Sequence, residues 1–345
     1  MASCDYANAR VRGMQGRLLG QKGITELLAQ PGLGARLDYL RKTAYGETAA
    51  VQLAREPDPL RGAERGLRMC LVEDLVRIDR YLAGERARSL LRSVLAFEDG
   101  WNLKTILRGV ANGEPPERIF LLLAPTPVLD DPALRELVGQ KDVKAVVDLL
   151  ATWRSPFAVP LTHAFDRYRI HQELFLLEVA LDQFLYGRAL EAARGDGEDG
   201  RVLLGFLETQ VDLANAGTLL KLADSVRGED LFIPGGRHMS RKRFRQLSTL
   251  RERELRAALV QQGRLHLDAR LTLMGERGDP SSVDQILHQA RRDAMRREAR
   301  VHPLSLAVPL AFVLERQAEI RQIRLVLRGA EFGLPADELL ARVEL

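Results

Sequence analysis

The chain has 345 residues, of which 46% are hydrophobic, 28% charged and 6% aromatic, with 51 basic against 47 acidic side chains. That length spans two or three domains and buries a sizeable core without staples; its two cysteines, Cys4 and Cys70, exclude a disulfide scaffold or a zinc ribbon. A net charge of +4 over so many charges argues against a dedicated nucleic-acid binder, and the excess of arginine (44, against 7 lysines) points to a GC-rich genome before any arginine-specific function.

In chain order the elements read as helices. Met1 to Arg12 carries no apolar core of a secretory leader, so none is expected. Apolar residues at three- and four-residue steps predict helices over 72–97, 173–194 and 311–329, rich in the good helix formers Ala, Leu, Arg and Glu. Breakers fall at 31–34, 113–116, 124–127, 195–200, 233–236 and 278–282. With no convincing period-2 strand, an all-α chain of about fifteen to twenty helices is expected. The longest apolar run, 303–314, has 12 residues and two prolines, while a membrane helix needs about 20; a soluble, cytoplasmic chain is the expectation. No P-loop, HExxH or nucleophile-elbow motif is present, and His163, His171, His238, His266, His288 and His302 are scattered. The GDGEDG stretch at 195–200 lacks the alternation of a calcium loop and reads as solvated surface.

An internal repeat runs through the chain. DGWNLKTILR (99–108), DLANAGTLLK (212–221) and EIRQIRLVLR (319–328) each place an acid, then an amide three residues on, then an apolar pair and a base. Asp99, Asp212 and Glu319 align, as do Asn102, Asn215 and Gln322, and Arg108, Lys221 and Arg328. The chain has only four asparagines, so two landing here is informative. The first and third copies continue: Gly109, Gly113, Pro115 and Glu117 fall on Gly329, Gly333, Pro335 and Asp337, each 220 positions on. This pattern predicts a helix stopped at glycine, with proline and an acid opening the next. Segment 135–150 also lies over 245–260 at a shift of 110, and Leu28 and Leu40 sit 109 before Leu137 and Leu149. Three copies follow, 1–121, 122–230 and 231–345.

At 100° per residue each acid lies on the apolar face of its helix. A buried carboxylate is costly unless paired and hydrogen-bonded, so a partner on another helix of the same copy is expected, an arginine before any other (Arg10 or Arg12 in the first copy). The alternative is three acids converging on a substrate or a metal. A structural role predicts that removing Asn102 lowers stability before any specific activity.

The opening DYANARVRGMQGRLL (5–19), together with 97–109, 177–190, 211–222, 231–240 and 313–335, resembles the C subunit of the archaeal and bacterial V-type (A-type) ATP synthases, counterpart of the d subunit of the eukaryotic V-ATPase. The similarity covers essentially the whole chain. It departs at Gln322, where the family's third copy usually has Asn, and at Gly217, where the other copies have Lys104 and Arg324. The resemblance implies three pseudo-threefold-related helical domains forming a funnel. It implies one copy per complex, seated peripherally on the cytoplasmic face of the membrane, between the proteolipid ring and the shaft made of the D and F subunits. It also implies no active site, cofactor or metal, no nucleic acid, and membrane contact only through the complex. The alternative function is a helical scaffold of another cytoplasmic complex.

Two basic stretches are candidate partner contacts: Arg237, Arg241, Lys242 and Arg243, and then Arg292, Arg296 and Arg297, where Arg292, Arg296 and Arg300 fall at four-residue steps on one helix face. A solvated helix face, contact with acidic groups of shaft or ring, and anionic lipid remain open readings.

Overall fold

The computed structural model describes residues 4–195, 197–221, 231–261, 267, 271, 280–335 and 338–340, and among them the backbone is helix, turn and loop with no strand. Sixteen helices are present among the described residues. The first nine are α1 (Asp5–Gln15), α2 (Gly20–Leu28), α3 (Gly32–Arg41), α4 (Gly46–Arg55), α5 (Pro59–Tyr81), α6 (Glu85–Ala111), α7 (Pro116–Phe120), α8 (Asp131–Val138) and α9 (Val143–Thr152). They are followed by α10 (Ala158–His171), α11 (Phe175–Ala193), α12 (Glu198–Lys221), α13 (Arg241–Leu247), α14 (Glu252–Gln261), α15 (Pro280–Val301) and α16 (Ala307–Glu331). The predicted helix over 72–97 is two helices: α5 ends at Tyr81 and α6 begins at Glu85, with Gly84 between them at φ +87°. The ladder ends at Leu82, whose backbone is extended, and left-handed Gly84 then turns the chain into α6 although strong helix formers flank the break.

The chain divides into two compact units. The first comprises Tyr6–Ala83, Leu95–Arg154 and Phe312–Leu345; the second comprises Met1–Asp5, Gly84–Val94 and Ser155–Ala311. In the first unit α4 packs along α5, α3 against α4, and α7 against α8. Leu67, Leu71, Leu75 and Ile78 of α5, Leu103, Ile106 and Leu107 of α6, and Ile323, Val326 and Leu327 of α16 are buried there. In the second unit α10 packs on α11, α11 on α12, and α12 on α15. Its core gathers Leu213, Leu220, Phe232, Phe244, Leu247, Leu259 and Leu287. Gly217 explains its own departure from the repeat, because a Cβ there would stand 3.0 Å from Leu287 Cδ1 where α12 meets α15.

Helix starts follow side-chain chemistry. Asp58 accepts from the Leu60 and Arg61 amides to open α5, with Pro59 in the first turn. Asp130 accepts from Ala133 N to open α8, and Ser240, 110 positions later, accepts from Arg243 N to open α13. The corresponding helix of the first copy, α2, has no side-chain cap of its own.

Helix ends repeat as well. Glu114 N donates to Gly109 O at 2.9 Å and Gly113 N to Val110 O at 3.1 Å, closing α6 with Gly113 at φ +67°. Leu334 N donates to Gly329 O at 2.8 Å and Gly333 N to Ala330 O at 3.3 Å, with Gly333 at φ +64°. Both are glycine-terminated ends with paired 6→1 and 5→2 bonds. Asp337, one of the aligned acids, lies outside the described residues.

Candidate functional site

The repeated acids and amides are buried, Asp99 at 1% exposure, Asn102, Asp212 and Asn215 at 0% and Glu319 at 6%. Each asparagine grips the backbone of one later residue from both sides. Asn102 Nδ2 donates to Ala124 O at 2.7 Å while Oδ1 accepts from Ala124 N at 3.3 Å. Asn215 does the same to Ile233, at 2.8 Å in both directions. Two backbone groups that burial would otherwise leave unpaired are thereby satisfied.

The acids are met by hydroxyls and backbone amides, not by the arginine of another helix that was expected. Thr126 Oγ1 donates to Asp99 Oδ1 and itself accepts from Val128 N at 3.2 Å and Leu129 N at 2.9 Å. Asp212 accepts from His238 N at 2.8 Å and Met239 N at 2.9 Å. Glu319 accepts from Gly20 N at 2.8 Å and Tyr45 Oη at 2.6 Å, and the arginine nearest it is Arg316 of its own helix, at 4.0 Å. Arg10 is turned to Tyr81, donating to its hydroxyl at 3.4 Å. Loop amides win because they are already oriented, and they avoid the cost of desolvating a second charge. Burial pushes the Asp99 carboxyl up to about 6, against the Thr126 hydroxyl, which lowers it, with Glu98 adding to the rise. Burial also raises Asp212, opposed by the His238 and Met239 amides.

Of the closing bases, Arg108 is exposed on α6, and the Lys221 side chain lies outside the described residues. Arg328 pairs with buried Glu64. Sequence reasoning missed the ion-pair chain inside the first unit. Arg68 donates to Glu98 at 3.1 Å and stacks 3.3 Å over the Trp101 ring. Burial, opposed by Glu98, lowers Arg68 to about 10. Arg316 donates to Asp74 at 2.9 Å and lies 4.2 Å over the Tyr45 ring. The Arg68 partners lie on the neighbouring helix about one helix length away and Asp74 lies 242 residues from Arg316, so no short spacing announces them.

The basic stretches are less uniform than their spacing implied. Arg237 is exposed and pairs with Glu208 at 3.2 Å, Arg241 lies 5.3 Å from the Phe232 ring centre, Lys242 is exposed and Arg243 half-buried. On α15, Arg296 and Arg297 are exposed, while Arg292 is buried at 9%. A four-residue step advances 400°, so the row drifts off one face over two steps, and α15 packs against α12. Arg296 pairs with Asp293 at 3.7 Å.

Among the described residues no group of three or more His, Cys, Asp or Glu is placed to hold a metal ion, and no helix is long and apolar enough to cross a membrane. The glycines at 195, 197 and 200 have the spacing of a dinucleotide fingerprint, but Gly195 and Gly197 follow the helix α11 and Gly200 lies in the first turn of α12, so the strand that fingerprint needs before it is missing.

Residues 7–342 match the family described as ATP synthase (C/AC39) subunit. The chain is 31% identical over 345 residues to the C subunit of the V-type ATP synthase of Thermus thermophilus, covering 97% of this chain and 96% of that one. It is 27% identical to the C subunit of the A-type ATP synthase of Halorubrum lacusprofundi (97% and 95% covered) and 26% identical to the V-type C subunit of Deinococcus radiodurans (99% and 91% covered).

Proposed function

Because the chain belongs to the ATP synthase (C/AC39) subunit family, we propose that it is the central-stalk subunit of a V/A-type rotary ATP synthase, joining the D and F shaft to the proteolipid ring. The observation that carries this reading is the match along nearly the whole chain to C subunits of such synthases. In this role the chain catalyses nothing and binds no cofactor. It sits peripherally on the cytoplasmic face, one copy per complex, and transmits torque between ATP turnover and ion movement.

We further propose that copies 1–121, 122–230 and 231–345 are related by a pseudo-threefold axis and form a funnel. The acid contacts support it. Gly20, Leu129 and Met239 are related by the repeat's offsets of 109 and 110. The acid of the first copy reaches Leu129 N through Thr126, that of the second reaches Met239 N, and that of the third reaches Gly20 N. Each copy therefore fastens the entry of the next, and the last fastens the entry of the first. Head-to-tail contacts of this kind support a closed arrangement of the three copies, and such a closed arrangement would suit an adaptor that must not slip under torque. The basic residues Arg237, Arg241, Lys242, Arg243, Arg296 and Arg297 are the proposed contacts to acidic groups of shaft or ring.

A tagged chain recovered from detergent-solubilised membranes tests the reading. Co-recovery of shaft and proteolipid subunits is the expected result; recovery with a different set of cytoplasmic proteins would favour the scaffold alternative.

A further inference from the structure

Residues 36, 146 and 256 stand 110 positions apart and take the same place in α3, α9 and α14. All three side chains are buried, Arg36 at 6%, Val146 at 0% and Arg256 at 3%. Each helix settles that burial differently. In α3 every nitrogen of the Arg36 guanidinium meets a carbonyl. Nε donates to Gln30 O at 3.1 Å, Nη2 to Leu28 O at 3.2 Å and Nη1 to Val326 O of α16 at 2.6 Å. One side chain thereby fastens α3 both to the end of α2 and to α16. In α9 valine makes no polar demand and is buried along with Val143, Val147 and Leu150. In α14 Arg256 Nη2 donates to Glu252 of its own helix, while Nε and Nη1 are buried without a partner. Among the described residues, the side-chain hydrogen bonds and ion pairs of α14 all stay within residues 251–261. Burial of Leu255 and Leu259 is what holds this helix in its core.

The residue four positions earlier accounts for the difference. It is Gly32 in α3, which offers no side chain to compete for Arg36. It is Asp142 before α9, whose carboxylate accepts from Ala145 N. It is Glu252 in α14, one turn from Arg256 and on the same face. The acid draws the guanidinium back along its own helix. The carbonyls of Ser248 and Leu250 stand 220 positions after those of Leu28 and Gln30, and Leu219 lies seven residues past Asp212 as Val326 lies seven past Glu319. A buried guanidinium with two unpaired N–H groups is costly. Two movements relieve that cost: the side chain swings to the carbonyls, or the helix lifts and admits water. We propose that Glu252 and Arg256 form a latch on α14. With Arg256 held by Glu252 the helix is unfastened and lifts off α12 as a local unit; with Arg256 released to the carbonyls it is locked as α3 is. The latch rests on the repeat and on helices within one compact unit, and it is independent of the stalk assignment.

Hydrogen exchange of the full chain, read by mass spectrometry as protection factors, tests the latch. In the wild type, protection across Glu252–Gln261 should be at least about tenfold lower than across Gly32–Arg41 and Val143–Thr152. Glu252→Ala should raise protection of α14 at least about tenfold and leave α3 and α9 unchanged. A helix that merely lost an acid from its first turn would exchange faster, so the sign of the change separates the latch from an ordinary helix-end effect. In an Arg256→Met background Glu252→Ala should no longer raise protection, because no guanidinium remains to be released. Arg36→Met, which removes the clamp from α3, should lower protection there at least about tenfold. Wild-type protection in α14 equal to that in α3, unchanged or faster exchange in Glu252→Ala, or the same gain with and without Arg256 would each overturn the proposal.

Discussion

Thr126 and Gly236 stand 110 positions apart, at the same place in successive copies, and do opposite things for the same purpose. Thr126 relays the Asp99 carboxylate to the Val128 and Leu129 amides. Gly236 leaves room for Asp212 to reach the amides directly, because a Cβ there would lie 2.0 Å from Asp212 Oδ1. In the third copy the extra methylene of glutamate covers the distance to Gly20. Thr126→Ala should cost about 2–4 kcal/mol in urea unfolding, since it strips a buried carboxylate and two amides of a partner. A change within a few tenths of a kcal/mol would refute the relay. Asn102→Ala and Asn215→Ala, each orphaning a buried N–H and C=O, should cost a similar amount. The pH dependence has a defined sign. Asp99 titrates at about 6 in the folded state against 3.8 as the ordinary value, so the folded state binds the proton more tightly. Stability from this group is therefore highest at low pH and falls as pH rises from about 4 to about 6. Asp99→Asn keeps an acceptor for Thr126 and removes the titration. Between pH 4 and pH 7.5 the variant should gain on wild type by up to about 3 kcal/mol. Parallel stability curves for the two proteins would contradict the buried, ionising carboxylate.

At the scale of the element, two helices separated by 220 positions each carry a glycine four residues before the left-handed one that ends them, and at that glycine a residue of the following segment packs too closely for a side chain. A Cβ on Gly109 would meet Ile119 Cγ1 at 2.5 Å, and one on Gly329 would meet Leu339 Cδ2 at 2.3 Å. Gly109→Ala should destabilise by about 1–3 kcal/mol. Adding Ile119→Ala should cost less than the sum of the single changes, because the cavity left by the isoleucine accepts the new methyl. Strict additivity in denaturation would show that the two groups do not meet. This capping was legible in the sequence, since glycine, proline and spacing mark it directly. So were the helices at 173–194 and 311–329, which the structure places at Phe175–Ala193 and Ala307–Glu331. The break at Gly84 was not, because Leu, Ala, Glu and Arg on both sides preserve the periodicity. The partners of the acids were not either. Thr126 lies 27 residues beyond Asp99 in an irregular loop, and Gly20 lies 299 residues before Glu319. Periodicity reports which face is buried; it carries nothing about which loop closes over it.

At the scale of the whole molecule, the proposed cycle makes the last copy responsible for the order of the first. α2 has no side-chain cap, and its first amide is held by Glu319. Glu319→Ala should therefore speed hydrogen exchange across Gly20–Leu28 while leaving α8 and α13, capped by Asp130 and Ser240, as protected as before. Equal loss of protection in all three helices would mean general destabilisation and no directed closure. A chain that couples the shaft to the ring, as proposed, is required for ATP-driven ion transport. Membrane vesicles stripped of the chain and supplied with the ATP-hydrolysing head and shaft should hydrolyse ATP without moving ions, and adding the purified chain back should restore transport. Full transport before the chain is added, or none after stoichiometric addition, would rule out the coupling role.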